Sequence, residues 1–209
     1  MVGGVDTVLR EDAPMLDDAQ KVVDFQRPPN EAAIRADPFV LLDYDHKAQR
    51  ALADLLERIA DSLPDEVSRA DAALAARELE TRHKRHAEIE DKCVFPLLET
   101  RCDGEVTRRA IAIARREHHD AEGRAIELSE ALDALSQTGR ALNAEGLGFM
   151  LRAFFDGLRR HLDWVDAAIL PQARAKLSDR DRALLADRLM EMTAGSRPGL
   201  RVVDGARGG

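Results

Sequence analysis

The chain has 209 residues, 33% of them charged and 4% aromatic, with a formal charge of −8 at pH 7. That length buries a core without disulfide or metal staples and reads as one main domain, while the acidic balance argues against a nucleic-acid or anionic-membrane partner. No apolar run approaches the roughly 18–20 residues that span a bilayer. The N-terminus lacks the basic-then-apolar layout of a signal peptide, so a cytoplasmic location is expected. Ala, Leu, Arg and Glu dominate, which favours helices over sheets. The two cysteines, Cys93 and Cys102, form neither a CxxC pair nor a disulfide framework, and Cys93 reads as a small buried hydrophobe.

Residues 1–36 form a polar, acidic extension without strong periodicity, expected to be largely irregular. A short helix over 15–25 is compatible with the pattern, interrupted by Arg27-Pro28-Pro29-Asn30. The first firm helix opens at Asp37-Pro38, a capping residue followed by Pro at the first helical position, and ends at Leu63-Pro64. Phe39, Leu42, His46, Gln49, Leu52, Leu56 and Ile59 recur along it at helical spacing, so His46 falls on the apolar face. The second helix is predicted over about 65–98, with Leu74, Leu79, His83, His86, Glu90 and Cys93 along it, and Pro96 kinking it or marking its last turns. After Cys102-Asp103-Gly104 a third helix carries Ile111, Ala114, His118, Ala121, Ala125, Leu128, Leu132 and Leu135 inward. Ser136-Gln-Thr-Gly-Arg140 reads as a loop. The fourth helix, about 144–177, then brings Leu147, Leu151, Phe154, Leu158, His161, Val165 and Ala168 inward. Ser178-Asp179 caps a short fifth helix over about 180–192, and the Gly- and Arg-rich stretch 194–209 is expected to be a disordered tail. Four long helices with short connections predict an all-α, up-down-up-down four-helix bundle.

Chemistry concentrates in one stretch and its echo. His86-Ala-Glu-Ile-Glu90 runs on to Pro96, and His161-Leu-Asp-Trp-Val-Asp166 runs on to Pro171. Residues four apart stack on one helical face, so His86 and Glu90 reach one point. Asp166, five after His161, sits about 140° round at roughly 100° per residue and approaches from the flank. On the third helix, His118 and Glu122 repeat the four-residue spacing. One histidine on an apolar bundle face is usually a hydrogen-bonded core residue. Four on successive helices, three with a carboxylate about one turn on, need a shared partner, because burying so many ionisable groups alone is costly. Imidazole and carboxylate together suit a divalent metal such as iron or zinc. Glu80-Thr-Arg-His83 is a single Glu-x-x-His, which places His83 beside the centre or on the surface. Asp163 and the run Arg115-Arg116-Glu117 read as solvated faces, and Trp164 as bundle packing near the site.

In this pattern the chain resembles the hemerythrin-like family of HHE cation-binding domains. The resemblance covers about residues 38–177 and rests on His46 in Asp43-Tyr-Asp-His46, on His86-x3-Glu90, and on His161-x4-Asp166. It implies a hemerythrin-like bundle domain over 37–193 holding two non-heme iron ions, oxo- or hydroxo-bridged, inside the four helices. By the same resemblance Glu90 and Asp166 would bridge the irons, one of which would keep an open position for a small oxidant. The third helix departs from the respiratory members, which carry His-x3-His; here the pair is His118-x3-Glu122, with His119 as an alternate ligand or a neighbour of the ligands. An anionic ligand at Glu122 would favour higher iron oxidation states. The ligand set so implied is His46, His86, Glu90, His118, Glu122, His161 and Asp166, with Leu42, Phe154, Leu158 and Val165 as apolar walls. Its partner would be dioxygen, peroxide or nitric oxide, bound, sensed, or turned over by peroxide-decomposing or ferrous-oxidising chemistry. Iron storage or a signalling-partner role without turnover is the alternative.

Overall fold

The computed structural model describes residues 28–102 and 104–194, which fold into helices joined by short turns with no strand among them. The short helix expected over 15–25 and the tail beyond 194 lie outside the described residues. The first helix, α1, is Glu31–Ala36, and the second, α2, is Phe39–Ser62. Helix α3 covers 69–101 and contains two widened π-helical turns, Leu79–His83 and Glu90–Val94. Helix α4 is Glu105–Thr138. Helix α5 covers 144–176, with one widened turn at Val165–Ile169. Asp179–Ala194 forms α6. No helix among the described residues is long and apolar enough to cross a membrane.

Two apolar clusters separated by a polar layer show how the long helices run. Leu42 and Phe39 of α2 join one cluster with Ile89, Val94 and Phe95 of α3, Ile111 and Ala114 of α4, and Val165 and Ile169 of α5. Leu52 to Ile59 of α2 join the other with Ala72 to Leu79 of α3, Leu128 to Leu135 of α4, and Leu151 to Leu162 of α5. The first cluster comes early in α2 and α4 and late in α3 and α5. Successive helices are therefore antiparallel, and the bundle runs up-down-up-down. Helix α2 packs mainly along α5, and α3 along α4.

Local chemistry sets the ends. The Asp37 carboxylate accepts the Phe39 N–H at 3.0 Å, so regular helix starts one residue after Pro38. Helix α3 begins at Arg69 and not near 65, because the Ser68 hydroxyl caps it by accepting the Asp71 N–H at 3.2 Å. The loop expected at 136–140 is shorter. Ser136 to Thr138 stay helical, and Gly139, at φ +73°, closes the helix through its N–H to the Leu135 carbonyl. The Arg69 side chain donates to the Ser136 and Gln137 carbonyls left open at that end.

Residues 31–36, expected within an irregular extension, are instead helical. Six residues are too few for periodicity to register. The helix is held by the Asn30 cap on the Ala33 N–H at 2.9 Å, by buried Ile34, and by Arg35 bound to Asp187 of α6 at 3.0 Å. Helix α6 is fixed in turn by a reciprocal cap: Ser178 and Asp181 exchange hydrogen bonds. Arg101 at the end of α3 grips Asp181 through Nε and Nη2.

Pro96 and Pro171 each follow a widened turn. A proline ring inside an α-helix collides with the carbonyl four residues back and cannot donate to it. In the π turns the preceding residues reach five back instead, Phe95 N–H to the Glu90 carbonyl and Leu170 N–H to the Val165 carbonyl. That widening lets α3 continue to Arg101 and α5 to Lys176. The cavity-forming substitution Leu132→Ala, at a side chain with no exposed surface, is expected to cost about 2–5 kcal/mol of unfolding free energy in a denaturant titration.

Candidate metal centre

The polar layer between the apolar clusters holds the chemistry. Glu90 opens a π turn of α3, is 1% exposed, and carries its carboxylate to the bundle axis. The Nε2 atoms of four histidines surround it. His46 lies 3.0 Å from Glu90 Oε1 and His86 3.9 Å from the same oxygen; His118 and His161 lie 3.3 and 3.4 Å from Oε2. The two oxygens thus face two pairs of imidazoles, one from α2 and α3, the other from α4 and α5. The Nε2 atoms of His118 and His161 are 3.1 Å apart.

Each imidazole turns its other nitrogen outward to a separate carboxylate, and these contacts close a ring around the bundle. Asp45 of α2 accepts from His86 Nδ1 of α3 at 2.7 Å. Asp91 of α3 stands 3.1 Å from His118 Nδ1 of α4, close enough for an ion pair but not aligned as a hydrogen bond. Glu117 of α4 accepts from His161 Nδ1 of α5 at 3.0 Å. Asp166 of α5 accepts from His46 Nδ1 of α2 at 2.7 Å, its second oxygen taken by Arg50 at 2.8 Å. A carboxylate behind each imidazole fixes the ring's orientation and raises its basicity, the usual support of a metal-binding histidine. The carboxylate stands one residue before the histidine on α2 and α4 and five after it on α3 and α5, so the pair α2–α3 and the pair α4–α5 repeat one pattern.

Burial alone would push His46 and His118 down. The bonds of His46 to Asp166 and Glu90, and the contacts of His118 with Asp91 and Glu90, outweigh that and raise them to about 10 and about 9. Glu90 moves the opposite way: burial would raise it, but the surrounding imidazoles hold it well below the usual carboxylate range. Glu90 therefore remains an anion.

Even so, His86 Nε2 and Glu90 Oε2 are buried at the centre with no hydrogen-bond partner among the described residues. Unsatisfied polar atoms in such a place are costly, and a cation would satisfy both. Donor atoms of His86, Glu90, His118 and His161 lie within 4.8 Å of one another. This buried donor set fits a metal ion. A model of the hemerythrin HHE cation-binding domain matches residues 37–173. The chain belongs to that family. No curated protein and no solved structure matches it. As an HHE domain it is a cation-binding bundle, and the His/Glu cluster is where its geometry accommodates the cation.

Of the residues singled out in the sequence, His46, His86, Glu90, His118 and His161 are brought to the centre. Two are placed differently. Glu122 is exposed, because the inward stripe of α4 passes from His118 through Ala121 to Ala125 and leaves Glu122 on its flank. Asp166 does not meet Glu90; it backs His46 from outside, which makes it the counterpart of Asp91 rather than of Glu90. His119 is exposed. Asp163 pairs with Arg50 at 2.9 Å on the surface, and Trp164 sits at the bundle's edge, its indole N–H donating to the Ala110 carbonyl at 3.3 Å.

Sequence reasoning missed Asp45, Asp91 and Glu117. Glu117 in particular belongs to a run that reads as a solvated face; the one available signal was its place immediately before His118, matching Asp45 before His46. His83 is buried beside the centre, its Nδ1 3.2 Å from Gln49 Oε1 and its ring against Phe154. Burial and the neighbouring imidazoles lower it to about 3, so it is neutral.

Asp45→Asn and Glu117→Gln are expected to weaken cation binding about 10- to 100-fold with helix content retained; Glu122→Gln, read by the same calorimetric titration, should leave it unchanged. Because His46 and His118 are protonated at neutral pH without a cation, cation binding must expel protons. A titration in several buffers should show net proton release at pH 7 and affinity rising with pH. The same raised values stabilise the cation-free fold fully below the ordinary histidine range, near 6.5. That contribution is lost as pH rises through about 9 to 10, so the cation-free melting temperature should fall over that window.

Proposed function

We propose that this HHE domain is a non-heme di-iron protein that binds a small oxidant such as dioxygen, peroxide or nitric oxide. The observation that carries the reading is the division of the inner imidazoles by Glu90, with His46 and His86 toward Oε1 and His118 and His161 toward Oε2. A carboxylate facing a pair of imidazoles from each oxygen is built to lie between two cations, so the proposed ligands are His46, His86, Glu90, His118 and His161. Imidazole with carboxylate suits iron among the divalent metals. Bound iron would supply reversible electron transfer to, or coordination of, the oxidant. The chain's part is to hold the imidazoles at fixed orientation through Asp45, Asp91, Glu117 and Asp166. Phe154, Leu158, Leu42 and Val165, all buried, keep the surroundings dry.

Strongly oxidising chemistry would call for Glu122 as an anionic ligand. With Glu122 at the surface the inner donors are four imidazoles and one carboxylate, which favours binding over turnover. Anaerobic ferrous loading followed by elemental analysis and Mössbauer spectroscopy tests the proposal. Two irons per chain in the wild type, and fewer than one in His86→Ala with unchanged helix content, are expected. One iron per chain, or none, would refute the two-cation reading. Peroxide consumption by the loaded protein no faster than by free iron is the expected result for a binding role; clear turnover would instead make it an enzyme.

A further inference from the structure

Among the described residues, clefts approach the polar layer from outside, and they differ in what they reach. One, about 1240 Å³, is lined by α1, α2, α3 and α6 and meets the centre at Asp45, behind His86. A second, about 460 Å³, opens beside α2 and α5 onto His46 and Asp166. There His46 Nδ1 is already held by Asp166, and the arginines are committed: Arg50 to Asp163 and Asp166, Arg174 to Asp43. The third, about 390 Å³, runs between α4 and α5 to His118 and His161, the pair facing Glu90 Oε2, with His83 and Phe154 also on its wall.

Three arginines, Arg116, Arg124 and Arg160, line this third cleft, with Glu117, held by His161, and Asp120 as its carboxylates. Arg116 is loosely paired with Asp120 at 3.9 Å. Arg124 and Arg160 have no carboxylate within salt-bridge distance among the described residues, and both are exposed. Gly157 of α5 lies on the wall, where an added Cβ would meet only Arg160 Nη2, at 3.8 Å. Its backbone is ordinary helix, so no left-handed conformation calls for glycine. A glycine inside a helix destabilises it relative to alanine. What the missing side chain leaves here is open space in the cleft.

We infer that the α4–α5 cleft is the route by which small anionic ligands reach the centre, with Arg124 and Arg160 drawing them in and Gly157 keeping the passage open. This inference rests on the iron-centre reading above and adds the path into that centre and the charge selection at its mouth. Two arginines without a salt-bridge partner at the mouth of a buried site raise the local concentration of anions and speed their approach in a salt-dependent way. A neutral ligand using the same passage feels its width but not its charge.

The test uses iron-loaded full-length protein and two probes: azide with the ferric form and nitric oxide with the ferrous form, each followed by stopped-flow absorbance. Gly157→Leu should slow both about tenfold or more by filling the passage, whereas Arg124→Glu with Arg160→Glu should slow azide about tenfold, flatten its salt dependence, and leave nitric oxide unchanged. Lys47→Glu, at the second cleft, should alter neither. Ala153→Leu, on the same wall of the third cleft, should act as Gly157→Leu does and decides the matter if that variant does not fold. Normal iron content with both rates unchanged in the wall variants would overturn the route alone, as would azide slowed by Lys47→Glu instead. Absence of iron in the wild type would be a different failure, of the iron-centre reading and of this inference with it.

Discussion

Everything in this structure depends on keeping one carboxylate ionised on the axis of an apolar bundle. Glu90 is 1% exposed, with apolar clusters above and below it. An isolated charge in such a place would neutralise itself or unfold its surroundings. Here the imidazoles of four helices close on it, and each is supported from behind by Asp45, Asp91, Glu117 or Asp166. Through His46, charge therefore alternates outward from the axis: Glu90 an anion, His46 a cation, Asp166 an anion, and Arg50 a cation again. Removing any single partner leaves an uncompensated buried group, which is why such networks cost more to break than they gain by forming. The same alternation makes the centre ready for metal. Cations arriving at the Nε2 atoms of His46 and His118 replace protons, and the outer carboxylates remain to hold the rings.

The backbone is shaped to that network. The widened turns of α3 and α5 lie at the polar layer or at its border, and π turns of this kind concentrate at functional sites. At Glu90 and at Val165–Ile169 they also absorb the strain of the following proline, so one device sets the side-chain register and lets each helix continue into the neighbouring apolar cluster. Helices α1 and α6 close the end occupied by that cluster through Ile34, Leu185 and Leu189, and Arg101 bound to Asp181 ties α6 to the end of α3. Between α4 and α5 a cleft reaches inward to His118 and His161.

Much of this was legible in the sequence. Apolar positions at helical spacing gave the four long helices and their antiparallel order. His46, His86, Glu90, His118 and His161 stood out because each interrupts an apolar stripe with a group that cannot be buried alone. Glu122 misled because i, i+4 spacing describes a straight helix face without saying which edge of the stripe turns inward. On α4 the stripe runs through Ala121, a side chain small enough to let the neighbouring helix approach. Asp166 misled differently. Its bridging role follows from the family's His-x4-Asp motif, whereas its place five after His161 matches Asp91, five after His86, and like Asp91 it stands behind an imidazole.

By itself, then, the sequence determined the four long helices and the five groups that interrupt their apolar stripes, because burial periodicity is a property of each helix alone. Which carboxylate stands behind which imidazole was decided only by the tertiary structure. Asp45, Asp91, Glu117 and Asp166 each serve a histidine on a different helix, 41, 27, 44 and 120 residues away. Such pairings follow from how four helices are rotated about a common axis, and no spacing within one helix records that rotation.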